Sequence, residues 1–272
     1  MRSKTPSDKY IDLDKKIIVL TGATGGIGRA VARALASQGA RLILPGRNMK
    51  KLKALENWLP GEHMLVEADL SSGAGCETLI KVCSELCDGV DMLINNAGVS
   101  EFGLLQQRSP EKIQQLFHLN LIAPVILCRG FIPLLKTREQ AAIVNIGSTF
   151  GSIGYAGFTD YCASKFGLRG FTEALRRELA DTSINVYYLA PRATKTAFNT
   201  DAVVAMNKKL GNQMDSPQVV AQALLELLAR RGSSRYIGWP ERLFVYINAM
   251  LPALVDRSLK KQLPIIRHFT NS

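Results

Sequence analysis

The segment YCASK sets a phenol and an ammonium four residues apart, at Tyr161 and Lys165. On a helix that spacing puts both on one face. An ammonium beside a phenol stabilises the phenolate and lowers the phenol's pKa from about 10. Tyr161 then becomes a usable acid or base near neutral pH. Thirteen residues upstream, Ser148 closes the run IVNIGS and can donate a hydrogen bond to a carbonyl oxygen. Singly, each has an ordinary reading: Tyr161 in a core, Lys165 in solvent, Ser148 capping a strand. Together they suit the transfer of a proton to and from an oxygen atom.

A second cluster lies near the start of the chain. TGATGGIG, residues 21 to 28, holds four glycines and two threonines in eight positions. An apolar run, Lys16 to Leu20, precedes it, and helical spacing of Ala30, Val31, Ala34 and Leu35 follows. Strand, glycine turn and helix start make an anion site, because free N–H groups and the helix dipole favour a phosphate. The third glycine of G-x-G-x-x-G is missing, since Val31 stands there, and no Gly-Lys-Ser/Thr of a P-loop follows. The pattern present is T-G-x-x-x-G-x-G, from Thr21, Gly22, Gly26 and Gly28.

Further polar residues follow other expected strands. LPGRN puts Gly46 where a carboxylate would hold a ribose 2′-hydroxyl, with Arg47 next to it. A guanidinium suits a 2′-phosphate. Asp69 either accepts from an adenine amino group or caps the next helix. NNAG, Asn95 to Gly98, suits a turn passing under a cofactor.

The elements that must position these groups alternate regularly. Strands are expected at 16–20, 41–44, 63–67, 91–94, 142–146, 184–189 and 236–238. Helices are expected from about Ala30, then at 48–59, 72–86, 110–135 (mostly), 161–180 and 217–230, the last capped by Ser216. Repeated βα units imply an α/β fold with a doubly wound, Rossmann-like parallel sheet and ligands at the carboxyl ends of its strands. One domain is expected over 16–240, after a polar extension, 1–15, and before a helical C-terminal extension, 241–272.

Composition bounds the rest. At 47% hydrophobic and 21% charged, the 272 residues suit a soluble globular domain. No apolar run of bilayer-spanning length is expected, nor a signal peptide. The five cysteines, Cys76, Cys83, Cys87, Cys128 and Cys162, form no C-x-x-C pair and read as reduced thiols, mostly core. A cytoplasmic setting is expected, with no metal site. The net charge of +11 permits nucleic-acid binding, but no stacking motif or basic recognition helix accompanies it, so none is expected.

TGATGGIG, Asp69-Leu70, NNAG, Asn120 in HLNL, Ser148 and YCASK together resemble the short-chain dehydrogenase/reductase family, in its order and approximate spacing over roughly residues 15 to 240. The resemblance implies hydride transfer between a nicotinamide and a carbonyl or alcohol. It implies that Tyr161 protonates the carbonyl oxygen, Ser148 orients it, Lys165 lowers the pKa of Tyr161 and holds the nicotinamide ribose, and Asn120 anchors a water feeding protons to Lys165. It implies cofactor contacts from Thr21, Gly22, Thr24, Gly26, Ile27, Gly28, Arg47, Asp69, Leu70, Asn96, Ala97, Gly98, Pro191, Arg192, Thr194 and Thr196. With Arg47 present, the expected cofactor is NADP(H). A homodimer or homotetramer through two long central helices is implied as well. Arg192 departs from the family's Pro-Gly after the sixth strand. It narrows the pocket, reaches an anionic substrate group, or points to solvent.

SIGYAGF, 152 to 158, and the stretch from Thr196 to Met206 make the expected pocket wall mainly apolar, which favours a lipid, acyl thioester, retinoid or steroid carbonyl. A catalytically silent NADP-binding regulator or scaffold is the alternative, although Ser148, Tyr161, Lys165 and Asn120 are all present. Residues 230 to 272 carry eight basic and two acidic residues. Val255, Leu259, Leu263 and Ile266 are expected on one helical face, with Arg257, Lys260 and Lys261 opposite. Pro252 should divide the segment and Pro264 strain its end. It either packs over the substrate pocket or a subunit interface, or lies on an anionic membrane surface.

Overall fold

A computed structural model describes residues 11–86, 89–229 and 232–270. Cys87, Arg230, Arg231 and most of the expected N-terminal extension lie outside the described residues.

Seven strands form one parallel sheet in the order β3-β2-β1-β4-β5-β6-β7. They are β1 (Ile17–Leu20), β2 (Arg41–Gly46), β3 (Met64–Glu67), β4 (Met92–Asn95), β5 (Ala141–Ile146), β6 (Ile184–Ala190) and β7 (Ser234–Tyr236). Their β-branched and aliphatic runs suit burial on both faces. The β1, β4 and β5 positions are all buried. Helices cover both sides. On one face, α1 (Gly26–Ala36) and α8 (Pro217–Ala229) bury Val31, Leu35 and Leu224 against Ile18, Leu42 and Val144. On the other, α3 (Gly73–Ser84), α5 (Ala123–Lys136) and α6 (Thr159–Glu178) bury Leu79, Phe131 and Leu175 against Val19, Leu93 and Ile143. Helices α2 (Met49–Glu56), α4 (Pro110–Phe117) and α7 (Asp201–Leu210) complete the domain, and α9 (Glu241–Met250), α10 (Pro252–Lys260) and α11 (Leu263–Thr270) follow it. The expected doubly wound sheet is present. Strand order reverses between β1 and β4, so a crevice opens there at the carboxyl ends.

Several expectations are corrected. The last strand is Ser234–Tyr236 rather than 236–238. Gly238 has φ +100°, a left-handed turn that sends the chain into α9. The expected helix over 110–135 is two helices, joined by a π-turn at His118–Ile122 that holds Asn120. The joined stretch, 27 residues from Pro110 to Lys136, does reach the length and hydropathy of a membrane span, contrary to expectation. It serves as a core helix here: Leu127, Cys128, Phe131 and Leu135 are buried beside the sheet. Pro252 divides the C-terminal segment as expected, but Pro264 does not strain a helix end. It lies in the first turn of α11, where no intrahelical N–H bond is lost. Cys76, Cys83, Cys128 and Cys162 are buried free thiols.

Candidate active site

The strand ends converge on one long cavity of about 920 Å³. A shallower cleft of about 710 Å³ lies elsewhere, lined by Lys15, Gly39, Arg41, Pro60 and Arg138, and holds none of the expected groups.

The crevice half of the cavity rests on the turn after β1. Gly22 has φ +66°, and a Cβ there would stand 2.8 Å from Ala97 Cα. A Cβ on Gly26 would stand 2.3 Å from Thr196 Cγ2. These glycines therefore let the turn close against the β4 and β6 ends as well as leaving room for a ligand. The N-cap of α1 is Gly25, with no side-chain cap, and its first turn carries no acid. Amides at the start of α1 thus have no side-chain competitor for an anion. Thr24, Ile27, Gly28, Leu70, Asn96, Gly98, Pro191 and Thr194 also line the cavity.

Thr21 does not. It is buried, and its Oγ1 accepts hydrogen bonds from the amides of Asn96 and Ala97, both at 2.9 Å. The Asn96 side chain donates back to Thr21 O at 2.9 Å and Gly22 O at 3.2 Å. Thr21 is thus a fastener between β1 and β4, and not a cofactor contact.

At the outer end, Arg47 is 72% exposed and stands 3.8 Å from Asp69. Burial pushes the Asp69 carboxyl up, but hydrogen bonds from Ser71 and the Arg47 charge outweigh it and hold the group below its ordinary value. Asp69 does not cap α3; Ser72 does, accepting from Gly75 N at 3.1 Å.

At the inner end, α6 presents Tyr161 and Lys165 beneath the β5 terminus. Asp160 fixes its first turn by accepting from Tyr161 N at 2.9 Å, and is itself 3.6 Å from Arg108 Nε. Ser148 Oγ accepts from Phe150 N at 3.1 Å, which leaves its proton to donate. Ser148 stands close enough to Tyr161 to stabilise its phenolate. Lys165 Nζ donates to Ile146 O at 3.0 Å and lies 5.9 Å from the centre of the Tyr161 ring. Burial pulls Lys165 down to about 8. Burial pushes Tyr161 up to about 12, only partly opposed by Ser148. The expected lowering of the phenol is therefore not a property of the chain alone: both groups lose water, and burial is the largest influence on each.

Asn120 is also set back from the cavity. Its amide accepts from Val99 N at 2.9 Å and donates to Val99 O at 2.9 Å and Ser164 Oγ at 3.1 Å. The side chain ties the π-turn to the β4 end and to α6, and its Oδ1, which keeps one acceptor site, lies with Lys165 Nζ against Gly98.

The other half of the cavity is apolar. Phe102, Phe150, Tyr155, Phe158 and Phe198 gather beside Tyr161, with Val203 and Met206 of α7. The expected wall segments are both there. Phe102 and Phe150 come from outside them and carry no local sequence signal.

Arg192 lines the cavity but neither points to solvent nor awaits a substrate anion. Its guanidinium binds Asp215 through two bonds of 2.9 and 2.7 Å, and Glu241 at 3.1 and 2.9 Å, with only 12% of the side chain exposed. It clasps the β6 loop to the start of α9. The C-terminal segment then folds over the apolar half: Val255, Leu259 and Gln262 line it, and Tyr155 Oη donates to Gln262 Oε1 at 2.6 Å. The face expected to carry Val255, Leu259, Leu263 and Ile266 therefore points inward, Val255 and Ile266 being buried.

A family model for the short chain dehydrogenase matches residues 16–207. The chain belongs to the short-chain dehydrogenase family. Within this oxidoreductase family, it is 34% identical over 228 residues to "3-oxoacyl-[acyl-carrier-protein] reductase FabG" of Rickettsia bellii, covering 82% of this chain and 93% of the relative. A metagenomic short-chain oxidoreductase solved in complex with NADP superimposes with TM-score 0.71 at 29% identity, covering 84% of this chain and 98% of that one. A short-chain dehydrogenase/reductase from Burkholderia phymatum, solved with NAD, gives 0.80 at 26%, covering 90% and 96%. The matched short-chain dehydrogenase region holds every expected site residue, whereas the Arg192 partners Asp215 and Glu241 lie beyond it.

Two outcomes follow from this geometry. Arg192→Gly leaves two carboxylates facing each other unpaired and should lower the unfolding free energy by about 2–4 kcal/mol, measured from urea midpoints. A loss below about 0.5 kcal/mol would mean that the clasp is no stronger than a surface pair. Lys165 has its folded pKa near 8, against 10.5 for the free side chain. Its ammonium is thus penalised fully below pH 8, and the penalty fades as pH rises towards 10.5. Without cofactor, Lys165→Met should therefore be more stable than the parent at neutral pH, by on the order of 3 kcal/mol, with the gap narrowing in alkali. A gap that is absent or widens with pH would contradict the burial cost.

Proposed function

We propose that this chain reduces an apolar carbonyl compound with NADPH and oxidises the matching secondary alcohol with NADP⁺. One arrangement carries the reading: Ser148, Tyr161 and Lys165 stand where a dinucleotide-sized crevice meets an aromatic chamber. When bound, the cofactor supplies or takes up the hydride at the carbonyl carbon. The glycine turn and the start of α1 would hold its pyrophosphate, Asp69 its adenine amino group, Arg47 a 2′-phosphate and Lys165 the nicotinamide ribose. The fit is supported by the uncapped start of α1 and by Gly46, which offers no carboxylate.

Ser148 and Tyr161 donate hydrogen bonds to the carbonyl oxygen. As negative charge grows on that oxygen, Tyr161 gives up its proton. At neutral pH burial keeps Tyr161 protonated and leaves Lys165 positive, the state that reduction needs. The Lys165 charge then opposes the charge left on the phenolate. Phe150, Phe158 and Phe198 exclude water, which strengthens each of these interactions.

An acyl chain is the substrate class best supported, by the aromatic chamber and the acyl-reductase name of the Rickettsia relative. Assembly as a dimer or tetramer through α5 and α6 is proposed from the family resemblance and from exposed Ile122 and Phe166 at these helices. A reducing cytoplasmic setting is supported by the buried free thiols.

Dissociation constants should favour NADPH over NADH. Arg47→Ala should cost about 1.5–3 kcal/mol, roughly tenfold or more, for NADPH alone. Equal affinities in the parent chain would remove the 2′-phosphate role. Tyr161→Phe keeps the ring and removes the proton. On a carbonyl found by screening NADPH oxidation it should abolish most turnover while cofactor still binds. Near-parental rates would rule Tyr161 out as the acid, and cofactor binding without turnover of any carbonyl by the parent would favour a silent binding protein.

A further inference from the structure

The C-terminal helices have two faces, and only the inner one is accounted for. Phe244, Val255, Leu259 and Gln262 wall the chamber. Outward, Trp239, Leu243, Tyr246, Met250, Leu251 and Leu254 are exposed, Met250 to 80% and Trp239 to 70%. Leu243, Tyr246 and Met250 recur at three- and four-residue spacing, so they share the outer stripe of α9. Leu251 carries the stripe across the bend, and Leu254 continues it on α10. Six large apolar side chains within sixteen residues exceed the scattered exposure normal for a soluble surface.

Charge decides what covers this stripe. Arg242 precedes Leu243 and lies one turn before Tyr246, and Arg257 lies one turn after Leu254. Lys260 and Lys261 follow, and all four are exposed. Of the acids on α9 and α10, Glu241 is held by Arg192, which leaves Asp256. A second copy seated on this face by two-fold symmetry would bring the four cations of each partner together. An anionic bilayer instead offers acyl boundary to the leucines and methionine, headgroup depth to Trp239 and Tyr246, and phosphates to the cations.

We propose that the outer face of α9 and α10 docks the protein on an anionic membrane surface. The lipid-facing residues are Trp239, Leu243, Tyr246, Met250, Leu251 and Leu254, not the Val255–Ile266 face expected from helical periodicity, which is spent on the chamber. The chamber's outer wall thereby becomes the part nearest the lipid, and an apolar substrate has a short path from the acyl boundary. Docking goes beyond the proposed reaction and does not depend on it.

Flotation of the full chain with vesicles tests the proposal. Vesicles of phosphatidylcholine alone are compared with vesicles containing one third phosphatidylglycerol, at low and high salt. The parent chain should float with the anionic vesicles at low salt, and at least tenfold more weakly with neutral ones or at high salt. Met250→Asp with Leu254→Asp should lower the anionic partition coefficient at least tenfold. So should Arg257→Glu with Lys260→Glu and Lys261→Glu. All these side chains are exposed, so thermal midpoints should stay near parental and show that each variant folds. Absence of flotation by the parent, equal flotation by the folded variants, or equal binding to neutral vesicles would overturn the proposal. A fall in oligomeric size of the Met250/Leu254 variant without vesicles, with unchanged lipid binding, would assign the face to a second copy and overturn it too.

Discussion

One hydroxyl holds the mouth of this molecule in register. Thr21 Oγ1 takes two amides from the first residues after β4, and donates to Ile94 O at 3.3 Å. These bonds extend the pairing of β1 with β4, which ends in the backbone bond from Thr21 N to Ile94 O at 3.1 Å, where the winding reverses. With β1 and β4 tied there, the glycine turn has a fixed floor, and Gly22 can approach the Ala97 backbone. Asn120 repeats the device one layer further in, tying the other side of NNAG to α6 through Val99 and Ser164. The two fasteners set the distance between the turn that suits phosphate and the helix that bears Tyr161. Neither needs to touch a ligand to matter.

The reacting end is dominated by loss of water. A phenol and a lysine pulled out of solvent both resist their charged forms. In the chain by itself, the pair therefore rests as a neutral acid beside a cation of weakened hold. That is a poor arrangement for stability and a useful one for proton delivery, the ordinary conflict between a site and the fold that bears it. Arg192 resolves a similar problem differently. Its partly buried charge is met by two carboxylates in near-ideal geometry, so it keeps its proton and becomes structural.

Much of this is legible in the sequence. Strand periodicity and the glycine turn marked β1, α1 and the crevice. The four-residue gap marked the shared face of Tyr161 and Lys165. What escaped was whatever depends on contacts distant in sequence. Arg192 stood out as a departure, but its partners lie 23 and 49 residues further on and belong to no motif. Thr21 belongs to the glycine-turn motif but serves β4, because the amides it accepts from lie 75 and 76 residues further on. The π-turn was hidden inside a good helical pattern. In the C-terminal segment the spacing correctly grouped Val255 with Leu259, Leu263 and Ile266, yet periodicity cannot say which apolar face meets protein when both faces are apolar.

The clasp at Arg192 divides the cavity into parts with different ancestry in the chain. The crevice is made wholly by loops after β1 to β6. The outer wall of the chamber is borrowed from helices held by the Arg192 clasp, by Tyr155 Oη donating to Gln262 and by Asn248 donating to Ser152 O. Part of this wall is a replaceable panel: Val255 and Leu259 pack with Ile153, apart from the cluster that joins Ile266 to Tyr161, and can be exchanged without disturbing the residues proposed to transfer the proton. Substrate range and catalytic competence are then free to drift at separate rates, and relatives that share the crevice need not share a substrate.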